Sequence, residues 1–326
     1  MAGRFSKKDL LFFRNFRFGQ ISDVALRPPL LIAQTVTTNT RKMTKINWKY
    51  CQNNSDLILA SGIDLLTKNT FDDHCPDDHG NYLISDSTKK WNYIGEAKSL
   101  LNRLKQHSRE KTSTFFKNYK SLEKKFHNLP KGLEINDFNV RIILTKIGRK
   151  EIEEFGIVNI PANLNKFQKG KRQKYSGVID RQIWHQVQSD FKLLLEQGET
   201  ELLKQKEYKW FDAQVKSTAG LYWVEHPSKG LIYIGESSNI YDRYDTHSGT
   251  TYFSALRRHI GENILGFRLQ TRNRKKRYFE DIEDLKITDF LRKCTIKPYG
   301  VNFGRYELEE YLIRKHKPLL NRKENN

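Results

Sequence analysis

The chain has 326 residues, which is enough for about two domains of ordinary size. Lys and Arg number 58 against 38 acidic residues, so the formal net charge is +20 and the sequence pI is near 9.7. This excess favours a nucleic-acid partner over a membrane surface, because the apolar stretches are too short to span a bilayer. Three isolated cysteines and the lack of a signal-peptide pattern predict an intracellular, cytoplasmic protein without disulfides or a CxxC zinc site. The alternative at this point is a soluble protein that merely happens to be basic.

Residues 1–70 form an N-terminal extension rich in basic and aromatic side chains, as in residues 4–8 and 12–18. Such a mixture could stack on bases and neutralise phosphates, but we favour a core role, because aromatic residues in a first helix usually pack inside. Several Asp and His residues follow at 72–79. Their spacing matches no tetrahedral metal site, so we interpret them as an acidic loop.

Two strands and a helix are predicted next, and the same pattern recurs later. Residues 81–85 and 91–94 predict strands around a polar turn, and residues 221–224 and 231–234 predict a second hairpin. Each hairpin leads into a helix on which an arginine and a histidine lie four residues apart, namely Arg103 with His107 and Arg243 with His247. The two side chains share a helix face and are expected to point at the glycine end of the hairpin.

The rest of the chain supplies a strand at 139–145, a helix at 149–158 that carries Glu153, and a connector between the two segments. In the connector, an apolar residue every fourth position from Ile179 to Leu195 predicts one long amphipathic helix. We therefore divide the chain into the extension 1–70, a first domain 71–170, a helical connector 171–215 and a second domain 216–326.

The two domains keep chemically distinctive residues in register. Two tyrosines, an arginine and a histidine recur 140 residues later, and a glutamate and an asparagine recur 156 residues later. The second copy thus holds 16 extra residues, which we expect in a surface loop. We predict a duplicated catalytic site, because most other positions have diverged. Its residues are Tyr82, Tyr93, Arg103, His107, Glu153 and Asn165, then Tyr222, Tyr233, Arg243, His247, Glu309 and Asn321.

This set of side chains suits hydrolysis of a phosphodiester bond. A single carboxylate can hold Mg²⁺ with water completing the coordination shell, and an arginine can bind the non-bridging oxygens. A tyrosine or histidine whose pKa is lowered by neighbouring cations can accept the proton of the attacking water, while the asparagine orients. Two basic runs are candidates for phosphate contacts rather than merely solvated faces. They contain Lys169, Lys171, Arg172 and Lys174, and Arg272, Arg274, Lys275 and Lys276.

The pattern resembles the GIY-YIG nuclease family. In the second copy Tyr222 and Tyr233 are eleven residues apart, and Glu309 and Asn321 are twelve apart, as they are in that family. The resemblance implies an α+β fold with two tandem domains, each a small mixed or antiparallel three-stranded sheet flanked by helices. It also implies that Glu309 and Glu153 ligate Mg²⁺ or Mn²⁺ and that Arg243 and Arg103 bind the scissile phosphate. Either motif tyrosine could be the base, with Tyr222 and Tyr82 preferred.

The first copy departs from the family pattern at Asn81, at Gly156 within the glutamate helix, and at Pro161. The function expected is a Mg²⁺-dependent endonuclease for double-stranded DNA, of the site-specific type II restriction kind, acting as a monomeric pseudo-dimer with two active sites. One alternative is a live second copy beside a non-catalytic DNA-binding first copy. Another is a structure-specific repair or recombination nuclease, and a higher oligomer is a further possibility.

Overall fold

The computed structural model describes residues 46–69, 75–166, 172–272 and 276–321. These ranges contain eleven α-helices and small antiparallel sheets, in agreement with the α+β class expected from the sequence. Within the same ranges, every helix is too short or too polar to cross a lipid bilayer. The aromatic and basic residues 4–18 lie outside the described part of the chain.

The described chain begins with two helices, α1 (Trp48–Asn53) and α2 (Ser55–Lys68). Asn47 caps the first one by accepting a hydrogen bond from the Tyr50 amide. Trp48 is buried, and its indole N–H donates to the Tyr299 hydroxyl at 2.6 Å. Since Tyr299 lies about 250 residues further along the chain, these helices fasten the start of the described chain to its last strand.

The first segment, residues 80–165, is built on a three-stranded antiparallel sheet with the order β2-β1-β3. The predicted strands and the predicted glutamate helix are all found, with ends shifted by a few residues. Tyr82 on β1 lies opposite Gly95 on β2. The elements are β1 (Gly80–Asp86), β2 (Asn92–Ala97), α3 (Leu100–His107), α4 (Thr114–Glu123), β3 (Phe138–Leu144) and α5 (Arg149–Asn159).

The connector consists of two helices, α6 (Arg181–Ser189) and α7 (Phe191–Leu203), rather than the single long helix predicted from the apolar spacing. The break is at Asp190, whose backbone N–H still bonds to the Gln186 carbonyl while its carbonyl accepts from the Leu194 amide. Asp190 is therefore both the C-cap of α6 and the N-cap of α7. Apolar side chains continue at the same spacing through the bend, so periodicity alone does not reveal it.

The second segment, residues 208–321, repeats the hairpin and flanking helices, but its antiparallel sheet has four strands, in the order β4-β9-β5-β6, rather than the three expected. Tyr222 lies opposite Gly235, as Tyr82 lies opposite Gly95. The elements are β4 (Tyr208–Lys209), β5 (Gly220–His226), β6 (Gly230–Ser237), α8 (Ile240–Ser248), α9 (Ala255–Asn263), β7 (Gln270–Arg272), β8 (Lys276–Tyr278), α10 (Asp281–Lys293), β9 (Thr295–Gly300) and α11 (Arg305–His316).

The extra residues of the second segment fall between α9 and β9 and are folded rather than a bare loop. They form the β7–β8 hairpin and α10, and α10 buries Ile287 and Leu291 against the domain core. Arg257 on α9 reaches the Asp284 carboxylate at 2.9 Å from a fully buried position. This contact anchors the insertion to α9, the helix that follows α8.

Alternating strand residues divide the interior into a central core and two outer cores. Leu83 and Trp223 point into the central core, which both segments share with α1, α2, α6 and α7. Tyr82 and Tyr222 point the other way, each into the outer core of its own segment. Because successive side chains of a strand point to opposite faces of the sheet, one face joins the two segments and the other carries the tyrosines.

The helices that carry the predicted catalytic glutamates, α5 and α11, meet at their first turns through reciprocal ion pairs. Arg149 donates to Glu307 at 2.8 Å and to Glu310 at 2.9 Å. In return, Arg305 donates to Glu151 at 2.8 Å and to Glu154 at 2.5 Å. Each residue on one helix is 156 positions from its counterpart on the other, so the contact has approximate two-fold symmetry.

The backbone turns before these helices are also reciprocal. Gly148 and Gly304 both adopt the left-handed conformation, with φ of 94° and 79°. A Cβ at Gly148 would collide with the Phe303 ring, and one at Gly304 would come within 2.8 Å of Ile147. The two glycines therefore permit a close approach that other residues would prevent.

Candidate active site

A tyrosine and a histidine are hydrogen bonded in the second segment. The Tyr222 hydroxyl lies 2.9 Å from His247 Nε2, and His247 Nδ1 lies 2.7 Å from Ser254 Oγ. Both Tyr222 and His247 are almost completely buried. With Nδ1–H donating to Ser254, Nε2 accepts the hydrogen bond from Tyr222 and fixes the direction of its hydroxyl.

The first segment contains the same chain of contacts. Tyr82 lies 2.9 Å from His107 Nε2, and His107 Nδ1 lies 3.3 Å from Ser113 Oγ. Here the arginine also takes part, since Arg103 Nε donates to the Tyr82 hydroxyl at 3.1 Å. The corresponding Arg243 is solvent-exposed on α8, close enough for its charge to act on Tyr222.

The glycine of each Tyr-Ile-Gly sequence makes room for the tyrosine on the neighbouring strand. A Cβ on Gly235 would collide with the Tyr222 hydroxyl, and a Cβ on Gly95 would collide with the Tyr82 hydroxyl. These are the pairs that face each other in the strand registers. Any larger residue would displace the phenol that the histidine holds.

The titration of the buried rings differs from the expectation that cations lower the tyrosine pKa. Burial raises the pKa of Tyr233 to about 12 and holds that of Tyr222 well above its usual value, although Arg243 opposes this. The two tyrosine rings lie 6.0 Å apart between centroids. Burial also lowers the pKa of His247 to about 3, so its imidazole is neutral near pH 7 and its Nε2 can accept the tyrosine hydrogen bond.

The glutamate of the second segment lies beside the strand that carries Tyr233. Glu309 Oε1 accepts a hydrogen bond from the Glu236 amide at 3.0 Å, which fixes the carboxylate at the end of β6. Its charge contributes to raising the pKa of both Tyr222 and Tyr233, so all three side chains share one electrostatic environment.

In the first segment, Glu153 on α5 is largely buried among acidic and basic side chains. Burial raises its pKa to about 7, and Glu96 and Glu154 add to the rise while Lys150 opposes it. Lys150 Nζ lies 3.6 Å from Glu153 Oε2 and 4.0 Å from Glu96 Oε1. One oxygen of Glu96, Oε2, is buried and has no hydrogen-bond partner.

Glu309 and Glu153 each offer a carboxylate to a hydrated divalent cation, which needs few protein ligands. Within the described ranges, no group of three or more His, Cys, Asp or Glu is placed to hold a metal ion together. Carboxylates outnumber basic side chains around the contact between α5 and α11. The acidic residues are Glu96, Glu151, Glu153, Glu154, Glu236, Glu307, Glu309 and Glu310, and the basic ones are Lys98, Arg149, Lys150, Arg172 and Arg305.

The two asparagines bind backbone rather than another catalytic side chain. Asn321 accepts from the Ile234 amide at 2.9 Å and donates to the Ile234 carbonyl at 2.7 Å. Asn165 makes the same pair of bonds to Ile94, at 2.9 Å and 2.8 Å. Each asparagine thus holds the middle residue of Tyr-Ile-Gly, which agrees with the orienting role expected for it.

Two departures of the first segment have structural explanations. Asn81 donates to the Gly95 and Arg149 carbonyls, joining the hairpin to α5. Gly156 leaves α5 continuous, and its missing side chain lets β2 approach, since a Cβ there would collide with Ile94.

Sequence inspection missed two pairs of residues in the site. Glu96 and Glu236 follow the Tyr-Ile-Gly glycines and keep the 140-residue offset, so the repeat itself carried the signal. Ser113 and Ser254 are offset by 141, because the loop before them differs by one residue. A search at one fixed offset therefore passes over the serines, although each also caps the helix that follows it.

Only part of the predicted phosphate-binding surface falls within the described residues. Lys174 is exposed, whereas Arg172 is engaged with protein groups, bonding to the Asn302 carbonyl at 2.5 Å and lying 3.6 Å from Asp56. Arg172 therefore helps to join the two segments. The other candidates lie outside the described backbone or side chains, namely Lys169, Lys171, Arg272, Arg274, Lys275 and Lys276.

Comparison with known proteins identifies the second of the two segments. The family model described as the GIY-YIG catalytic domain matches residues 202–326, which include the Tyr–His pair and Glu309. No curated protein and no solved structure matches the chain. GIY-YIG domains are nucleases that act on DNA. Residues 202–326 of this chain are therefore similar to a GIY-YIG catalytic domain.

Proposed function

We propose that the protein is a Mg²⁺- or Mn²⁺-dependent endonuclease that hydrolyses phosphodiester bonds in double-stranded DNA. The observation that carries this proposal is the set of Tyr222, Tyr233, His247 and Glu309 within the matched domain, with Glu309 fixed against the end of β6. Glu309 and Glu153 would hold the metal ions. When bound, such an ion polarises a phosphoryl oxygen and stabilises the charge of the leaving group.

The remaining groups of the site bind phosphate and move a proton. Arg243 is exposed on α8 and would bind the non-bridging oxygens of the scissile phosphate. Tyr222 would hydrogen bond to the attacking water and assist the loss of its proton, with its hydroxyl oriented by His247 Nε2, 2.9 Å away. The neutral state of His247 lets Nε2 accept that hydrogen bond, and Ser254 holds the ring in the required tautomer.

The arrangement of the two segments supports a pseudo-dimer that acts on both strands of a duplex. The reciprocal pairs of Arg149 and Arg305 relate the two glutamate helices by an approximate two-fold axis. A two-fold relation matches the symmetry of double-stranded DNA and of palindromic target sites. On this basis one chain would make a double-strand break, as a site-specific restriction enzyme does.

A second candidate is a single cutting domain beside a non-catalytic DNA-binding copy. It is favoured by the family match, which covers residues 202–326 and not the first segment. Under this reading the first segment would contribute phosphate contacts and specificity while the second alone hydrolyses DNA.

Separate substitution of the two glutamates distinguishes these candidates. With supercoiled plasmid and Mg²⁺, Glu309→Gln and Glu153→Gln should each nick but not linearise if both segments cut one strand. The glutamine keeps the carbonyl oxygen that accepts the Glu236 amide but removes the charge that attracts the metal. The exposed Glu262→Gln is the control and should linearise plasmid like the unmodified protein.

Complete loss of cutting in Glu309→Gln together with normal linearisation by Glu153→Gln would refute the two-site form and support the single cutting domain. Absence of any cleavage by the unmodified protein in Mg²⁺ or Mn²⁺ would refute the nuclease proposal. Mapping the ends produced from random-sequence plasmids separates recurring sites, expected for restriction, from cuts at junctions or lesions, expected for a repair nuclease.

A further inference from the structure

The two helices that carry the proposed metal ligands begin without a cap of their own. α5 starts after Gly148 and α11 starts after Gly304, and a glycine has no side chain that could accept a hydrogen bond from the first amides. The first N–H groups of a helix have no partner within the helix, and leaving them unpaired in a buried place is costly. Each helix therefore needs acceptors from elsewhere in the chain.

These acceptors belong to the opposite segment. Glu307 Oε2 accepts from the Gly148 amide at 2.9 Å, and its Oε1 accepts from the Arg149 amide at 3.2 Å. In the reverse direction, Glu151 Oε1 accepts from the Arg305 amide at 3.3 Å. The two glutamates, Glu151 and Glu307, are only 0 % and 4 % exposed. Each helix is thus capped by a buried carboxylate of the other segment, at the end where the helix dipole favours negative charge.

We propose that each segment completes the catalytic site of the other, with Glu151 as a positioning residue for Glu309 and Glu307 as a positioning residue for Glu153. This inference rests on the proposed nuclease function. Neither segment holds a competent site by itself, and a substitution in one segment slows cutting by the other. A first segment that does not cut DNA is then still required for the second segment to cut.

In the second segment, one turn of α11 joins the cap to the proposed metal ligand. Arg305 begins the helix, and Glu309 lies four residues later on the same face. Both bind Glu236 on β6, since Arg305 Nε donates to its carboxylate at 3.0 Å and Glu309 accepts from its amide at 3.0 Å. Glu151 holds Arg305 by its amide and, at 2.8 Å, by its guanidinium. Loss of this hold lets the first turn of α11 shift against β6, and Glu309 shifts with it.

The first segment repeats the arrangement on α5. Arg149 begins the helix, and Glu153 lies four residues later. Glu307 holds Arg149 by its amide and also by its Nε, which donates at 2.8 Å. On the other side, Asn81 of β1 donates to the Arg149 carbonyl at 2.9 Å. The position of Glu153 against its own sheet therefore depends on a glutamate of the second segment.

Kinetics of plasmid nicking in a single-site background test the inference. In Glu153→Gln only the second site can cut, and adding Glu151→Gln should lower kcat by about tenfold or more, because a misplacement of about 1 Å can cost about a hundredfold. KM for the plasmid should change little, since the glutamine keeps the size of the side chain and removes only the charge that strengthens its bonds to Arg305. The altered glutamate belongs to the segment that is already inactive, so its effect must pass through the contact between the segments.

Glu199→Gln is the matched control in the same background. Glu199 is also buried, but it belongs to the connector helix α7 and bonds to Lys315 and His316 at the other end of α11. Its substitution removes a buried charge from the same helix without touching the first turn, and kcat should stay as in the background. A fall in kcat after Glu151→Gln that is no larger than the fall after Glu199→Gln would overturn the inference.

Hydrogen exchange of the full chain measures the caps without DNA. Glu151→Gln should speed the exchange of amides at the start of α11, and Glu307→Gln should do so at the start of α5, which keeps the test decisive if one variant fails to fold. Unchanged exchange at these helix starts would also overturn the inference. The two proposals fail separately: a protein that never cuts DNA refutes the nuclease, whereas one that cuts with normal kcat after Glu151→Gln refutes only the positioning role.

Discussion

Arg305 provides the sharpest test of how the two segments hold together. Its guanidinium is 2 % exposed and bonds to three carboxylates, those of Glu151 and Glu154 on the opposite helix and that of Glu236. Replacing it by Met retains much of the side-chain volume but leaves the buried Glu151 without its cation, and the buried Glu154 with only Arg172, 3.9 Å away. Breaking a buried pair in this way costs about 3–5 kcal/mol. We therefore expect Arg305→Met to lower the free energy of unfolding by that amount at about pH 8.

The same reasoning predicts how the loss depends on pH. A buried carboxylate without a partner has its folded-state pKa raised above its unfolded value, so the folded protein binds the extra proton. The free energy of unfolding of the variant then falls as pH rises from the carboxylate's pKa in the unfolded chain towards its pKa in the folded protein. The loss of stability caused by Arg305→Met should therefore be smaller at about pH 5.5 than at about pH 8. The measurement is urea denaturation followed by far-UV circular dichroism at both pH values.

The exposed pair of Arg292 and Asp289 supplies the matched control. Both side chains are more than 60 % exposed, and Arg292→Met should cost less than about 0.5 kcal/mol at either pH. An Arg305→Met deficit no larger than that of Arg292→Met, or one that is equal at the two pH values, would refute the idea that uncompensated buried charge is the cause.

Two further predictions concern the Tyr–His site. Burial lowers the pKa of His247 to about 3, so the imidazole takes up a proton in the unfolded chain at a higher pH than in the folded protein. The free energy of unfolding should therefore fall as pH falls from about 6.5 towards 3, by up to about 1.4 kcal/mol per pH unit. In urea titrations His247→Gln should flatten this slope, whereas His185→Gln, at an exposed position, should not. Gly235→Ala places a Cβ against the Tyr222 hydroxyl and should cost about 1–3 kcal/mol and lower the plasmid cleavage rate, whereas Gly249→Ala, where the nearest atom is 3.5 Å away, should leave both unchanged.

The sequence predicted the strands and helices that carry the candidate site, because local rules fix which residues face each other. Tyr222 and Gly235 face each other through strand pairing, and Arg243 and His247 share a face through helix periodicity. Short segments with clear turn chemistry therefore appeared at the expected places.

Interactions between the segments could not be predicted in the same way. Arg149 and Arg305 each begin a helix that is rich in glutamate, a pattern that in sequence alone suggests solvent-exposed charges. Only the packing of α5 against α11 shows that both arginines are buried and that each pairs with glutamates of the other helix. The bend at Asp190 was hidden for a related reason, since the apolar spacing describes which face is buried and not whether the helix axis continues.

The exchange of arginines within one polypeptide has a consequence for how the two sites can vary. In a homodimer built on the same contact, one gene would place the same residue in both sites, and a lysine beside one glutamate would necessarily stand beside the other. Here the partners are covalently joined, so association needs no threshold concentration and each half can change alone. The presence of Lys150 opposite Tyr306 is a difference of that kind. A single chain can thus keep the geometry of a symmetric pair while its two halves diverge.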